Sequence, residues 1–224
     1  MKKWNHSRKS LFYVINKKGG LDMKLKISPF YCFHTINAYE EDDNIFLDCV
    51  VYEDHSIIKS LYVKRLCSTS ATDHEQGLEG SIRRYVINRK EKSIREEFTL
   101  PAQGMNLELP VINPAYKCKK HRFVYGIHTT RASSFFDAII KVDIESRISQ
   151  TWSIPKGTPS EPIFIARPDG TSEDDGVLLT VVLDGQKRRS MMIVLDAKDL
   201  KEIARAEMEL VVPFGFHGAF VGRS

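Results

Sequence analysis

Residues 138–152, AIIKVDIESRISQTW, and residues 191–205, MMIVLDAKDLKEIAR, follow one grammar: an apolar run, an acidic and polar turn, then a second run. Their Val142-Asp143 and Leu195-Asp196 pairs lie about 50 residues apart, close to the roughly 40–50 residues of one propeller blade. FYVINKKGGLDMKLKI (12–27) has the same shape. Recurrence of this strand–turn–strand unit favours a β-propeller among the all-β architectures.

Outward from these segments, short runs rich in β-branched and aromatic residues recur at 11–15, 44–52, 81–87, 122–128, 135–144, 176–183, 190–195 and 208–214. Gly, Pro, Asp, Asn or Ser bounds each run, as at strand ends. AKDLKEIARAEMEL (197–210) is full of good helix formers. The repeat nevertheless predicts a turn at Lys198-Asp199 followed by a strand. LCSTSATDHEQGLEG (66–80) and RPDGTSEDDG (167–176) read as polar loops. No linker splits the chain, so residues 1–224 are expected to form a single all-β domain, a partial β-propeller.

A hydrophobic fraction of 42% suits a chain that buries a core, and a net charge of +4 is only mildly basic. The lysines near the start are interrupted by LFYVI and read as a solvated edge, so nucleic acid is not an expected partner. Cys32, Cys49, Cys67 and Cys118 form no C-x-x-C pair, and no secretory signal opens the chain. They read as reduced thiols, with Cys32 and Cys49 as small core residues. No apolar run is long enough to span a bilayer. The protein is expected to be cytoplasmic and at most peripheral to a membrane surface.

The histidines divide by context. His6, His55, His74 and His121 sit among polar residues and read as solvated loop histidines; His128 reads as a packed strand residue. His34 follows Phe33, and His217 follows Phe216, both in apolar settings. A neutral imidazole in a low-dielectric pocket is a good ligand for a first-row metal. Glu108 lies between Leu107 and Leu109, and Glu161 precedes Pro162 and an apolar run. Ligand histidines commonly give their second N–H to a carboxylate, which fixes the tautomer. Two such histidines and two such glutamates would furnish two His–Glu units. Core histidines and strand-edge glutamates fit the same pattern, so residue type alone leaves both readings open.

Four longer segments carry a resemblance. PFYCFHTINAYEE (29–41), LELPVINPAYKCKKHRFVYG (107–126), PSEPIFIARPDGTSEDDGVLLTVVLDG (159–185) and MIVLDAKDLKEIARAEMELVVPFGFHGAF (192–220) resemble, in order, motifs of the carotenoid cleavage oxygenases. That family includes the retinal pigment epithelium isomerase, the β-carotene oxygenases, and the apocarotenoid and fungal torulene-type dioxygenases. The resemblance implies a seven-bladed propeller with axial Fe(II) held by four histidines. It places His34 and His217 as the third and fourth metal ligands, with Glu108 and Glu161 as the glutamates that orient them. The other two ligands fall upstream of anything matched, so the chain is expected to hold the later blades and half of a metal site.

The activity implied is dioxygenase cleavage of a carbon–carbon double bond, with dioxygen and a carotenoid, apocarotenoid or related polyene or stilbene as partners. Two carbonyl products form, and no side chain serves as acid or base. Phe30, Phe33, Phe214 and Phe216 are candidates to line a substrate tunnel, and blade packing suits each equally well. This chain alone is expected to be inactive. The alternative is a non-catalytic propeller remnant that acts as a binding or scaffold module.

Overall fold

Consecutive antiparallel strands build the chain outward from its centre, sheet by sheet. The computed structural model describes residues 3–67, 79–100, 104–130, 135–213 and 215–222. Strands β1 (Ser10–Ile15) and β2 (Leu21–Ile27) form a hairpin. Its turn needs Gly19 and Gly20, at φ +102° and +94°, where a side chain would be strained. A four-stranded meander follows: β3 (Tyr31–Glu41), β4 (Asn44–Tyr52), β5 (Ser81–Asn88) and β6 (Ser93–Thr99). A second comprises β7 (Glu108–Val111), β8 (Phe123–His128), β9 (Ala138–Asp143) and β10 (Ile148–Trp152).

In the last sheet, β11 (Gly157–Pro159) and β12 (Ile163–Ala166) lie along the same edge of β13 (Gly176–Asp184). Strands β14 (Arg189–Asp196) and β15 (Glu202–Met208) complete it. The sheets also meet one another: β3 approaches β7, β2 approaches β6 and β11 approaches β9. One apolar core joins all three larger sheets through Val50, Ile82, Tyr125, Ile139, Leu178 and Ile193. The architecture is a partial β-propeller, as the sequence pattern predicts.

The turn at 197–199 and the strand β15 replace the helix that propensity alone would suggest. Full pairing of β15 with β14 outweighs differences of a few tenths of a kcal/mol per residue in propensity. One expectation fails nearby. The strand expected at 208–214 ends at Met208, because Ser190 captures the chain as it leaves the sheet. Its hydroxyl accepts from Val212 N (2.9 Å) and donates to Val212 O (3.0 Å). The segment 56–66 forms two short helices, α1 (Ser56–Ser60) and α2 (Val63–Leu66). The polar stretch 66–80 lies mostly outside the described residues, as does His74.

His121 is also a correction: it is buried, not solvated. Asn37 Nδ2 donates to Tyr116 O and Lys119 O, and its Oδ1 accepts from Cys118 N. The same Nδ2 lies 3.2 Å from His121 Nδ1, and His121 Nε2 lies 3.4 Å from Asp48 Oδ2. Asp48 is itself held by a two-pronged bond from buried Arg84, both contacts at 2.7 Å. Neighbouring charges of both signs on fixed strands made a polar-looking segment into a buried network.

Burial lowers the His121 pKa from its ordinary value, with Asp48 opposing and Arg84 reinforcing the shift. The unfolded chain then binds the proton first, and the stability present above the ordinary histidine range is lost as pH falls through the depressed folded value. His121→Gln is expected to flatten the part of the acid denaturation profile just below about pH 6.5, measured by urea midpoints across pH. Gly126 on β8 sets a second expectation. A Cβ there would lie 2.3 Å from Leu107 Cδ1 and 2.6 Å from Glu108 O. Gly126→Ala should cost about 1–3 kcal/mol of stability, read as a lower urea midpoint; an unchanged midpoint would refute the close approach.

Candidate metal centre

Breaks in strand pairing put the four singled-out residues in one place. In β3 the register shifts between Cys32 and Thr35, so Phe33 and His34 leave the regular ladder with β4. In β7 it shifts between Glu108 and Val111, and Leu109 takes a left-handed backbone at φ +48°. Such a conformation is strained for a branched side chain. Here it folds the Leu109 N–H back onto the Glu108 carboxylate. Glu161 occupies the gap between β11 and β12, where Pro162 removes a ladder donor. His217 arrives on the irregular tail released after Val212. Bulges of this kind re-aim side chains at functional sites.

The result is two His–Glu pairs. His34 Nδ1 donates to Glu108 Oε2 at 2.6 Å, and His217 Nδ1 donates to Glu161 Oε1 at 3.0 Å. Each glutamate is also held by a backbone amide, from Leu109 to Glu108 and from Gly218 to Glu161, both at 3.0 Å. The two imidazole rings sit edge to face with centroids 5.2 Å apart. Both Nδ1 atoms are engaged, which leaves Nε2 as the free donor on each ring. The hydrogen bond to Glu108 raises the His34 pKa, against a lowering by desolvation.

The pairs differ in exposure. The side chains of His34 and Glu108 are 25% and 7% exposed, those of His217 and Glu161 63% and 11%. The His217 side therefore faces the open edge of the sheets. Beside His34 lies an apolar cleft lined by Phe33, Tyr52, Leu109, Ile127, Phe136 and Phe216, among others. Two of the four candidate phenylalanines, Phe33 and Phe216, thus reach it. Phe30 does not: its ring stacks on Tyr85 at 5.2 Å and packs near Phe12, inside the blade. Phe214 lies outside the described residues.

The donor set suits a first-row divalent metal, since both imidazoles are fixed in the tautomer that offers Nε2. No group of three or more His, Cys, Asp or Glu poised around a metal occurs among the described residues. The chain thus brings two nitrogen donors together. Sequence reading missed Tyr52, whose hydroxyl donates to Glu108 Oε1 at 2.7 Å. Its place at the end of an apolar strand gave no signal of a polar role. His128 is packed as expected, with Nδ1 bonded to Asn106 O at 2.7 Å. No helix of the described residues is long and apolar enough to cross a membrane.

The fold agrees with known proteins. The chain is 35% identical to a carotenoid dioxygenase of Neurospora crassa over 99% of its own length and 41% of that protein's. It is 28% identical to the β,β-carotene 15,15'-dioxygenase of Gallus gallus, over 95% of this chain and 45% of the relative. The crystal structure of cobalt-substituted Synechocystis apocarotenoid oxygenase superposes with a TM-score of 0.84 at 26% identity, covering 99% of this chain and 46% of that one. The chain therefore spans less than half the length of these relatives. The profile of the retinal pigment epithelial membrane protein family matches residues 1–222, and the chain belongs to that family, the carotenoid cleavage oxygenases.

Proposed function

We propose that His34 and His217 are two of the imidazole ligands of a non-haem Fe(II) centre. The protein would use dioxygen to cleave a carbon–carbon double bond of a carotenoid or apocarotenoid, giving two carbonyl products. The observation that carries this reading is the pair of Nδ1–carboxylate bonds, which leaves a free Nε2 on each of two rings 5.2 Å apart. Relatives named as carotenoid and torulene dioxygenases support the substrate class. The cobalt-substituted form of a structural neighbour supports a first-row metal.

Bound iron would supply the activation of dioxygen. The chain's own residues do the rest by position. Glu108 and Glu161 hold the two imidazoles in one tautomer and one orientation, which raises their basicity as ligands. Phe33, Leu109, Ile127 and Phe216 offer an apolar wall that excludes water and accepts a polyene without polar competition. No acid or base is required of a side chain, because the substrate has no proton to move at the cleaved bond.

Two neutral imidazoles hold ferrous iron weakly, since the remaining coordination positions fall to water. We therefore propose that residues 1–224 alone do not catalyse, and that the remaining ligands come from sequence outside them. In a protein of the relatives' full length, His34→Ala or His217→Ala should abolish cleavage and bound iron together. Glu108→Gln and Glu161→Gln should each lower metal affinity about 10–100-fold, measured by competition with a chelator. Retained iron in the histidine variants would refute the assignment. The 224-residue chain by itself is expected to show no product from an apocarotenoid; carbonyl products there would overturn the proposal of inactivity. Absence of the further ligands from the native protein would instead favour a binding or scaffold module.

A further inference from the structure

The two His–Glu pairs are not built alike, and the difference falls on one side chain. Glu161 receives a histidine and a backbone amide. Glu108 receives the same two contacts on Oε2 and a third, from the Tyr52 hydroxyl, on Oε1. Each carboxylate is thus held at both oxygens, but Glu108 by three donors against two, with its Oε1 held by the Tyr52 hydroxyl. Its bond to His34 is also the shorter, 2.6 against 3.0 Å.

We propose that Tyr52 is a positioning residue of the metal centre, whose phenol fixes the Glu108 carboxylate and through it the ring of His34. The inference rests on the metal reading given above and adds a residue to it. Three observations place the phenol. Tyr52 ends β4, directly opposite Tyr31 on β3, so the sheet that carries His34 also carries its remote support. Its ring is buried and meets Phe33 edge to face at 5.9 Å. Its hydroxyl is walled in by Gly80, where an added Cβ would lie 3.1 Å from the oxygen and 2.9 Å from Leu107 O. Burial, reinforced by the Glu108 charge, pushes the phenol pKa upward, so the group keeps its proton and can donate to the carboxylate.

A carboxylate buried among apolar side chains can rotate if only one oxygen is held. With Oε1 free it would either turn from His34 or leave an acceptor unpaired, at a cost. Two-sided restraint is what keeps His34 in the tautomer protonated at Nδ1. Tyr52 is not a catalytic residue in this account, since it touches neither metal nor the cleaved bond.

The test uses a protein of the relatives' full length, stripped of metal, and cobalt(II) as the metal probe. In ¹⁵N-histidine NMR spectra at alkaline pH, His34 should appear as the Nδ1–H tautomer with a slowly exchanging proton, and the Tyr52 hydroxyl proton should be protected too. Tyr52→Phe keeps the ring and should speed exchange of the His34 proton. It should also weaken cobalt binding about tenfold, the lower end for loss of an outer partner, and alter the ligand-field spectrum. Combined with Glu108→Gln it should add nothing, because both act through one carboxylate. An unprotected hydroxyl proton in the unaltered chain overturns the inference. So does a Tyr52→Phe variant that binds cobalt like its parent while Glu108→Gln binds weakly. If His34→Ala also binds cobalt like its parent, the metal reading itself fails and the Tyr52 inference falls with it.

Discussion

The hydrogen bond from His34 to Glu108 joins two sheets at the point where their first strands meet. At 2.6 Å, between a strand of one blade and a strand of the next, it requires that β3 and β7 lie side by side. That requirement is met by the shared core beneath them, where Val50, Ile82 and Tyr125 are fully enclosed. The bond also sets the chemistry. A carboxylate buried in an apolar cleft is costly unless bonded, and Glu108 is bonded at both oxygens.

The site is made where regular pairing fails. β3 slips at Phe33-His34, β7 bulges at Leu109, and the edge strand of the last sheet breaks at Glu161. A side chain on an unbroken strand is committed to one face of its sheet. Releasing three of them from that rule lets them point along the direction in which the blades converge. The left-handed Leu109 backbone is the most visible cost. It is offset locally, since the same conformation supplies an amide to Glu108. Gly126 opposite the bulge leaves the room that Leu107 and the Glu108 carbonyl occupy.

Charge is handled differently away from the centre. Asp48, Arg84, His121 and Asn37 cluster under Tyr39, Phe46 and Phe98, with the guanidinium 5.0 Å from the Phe98 ring. Lys141 is buried likewise against Asp174 and the Phe123 ring. Both networks link segments distant in sequence, and partners within hydrogen-bonding range offset much of their desolvation. They hold strands in place.

Much of this was legible in the sequence. Short runs rich in β-branched and aromatic residues, with turn residues between them, specify strands. The recurrence at 138–152 and 191–205 specified blades, and it overruled helix propensity at 197–210. His34, His217, Glu108 and Glu161 stood out because polar groups in apolar settings need partners. Their pairing was implied by the family resemblance, but the 5.2 Å that brings the two rings together required the third dimension. So did the Tyr52 bond, the burial of His121 and the diversion of Phe30 into the blade. Local sequence fixes which face of a strand a residue takes. Only packing between blades decides what it meets there, since those partners are set by contacts tens of residues apart and by breaks in register that composition does not announce.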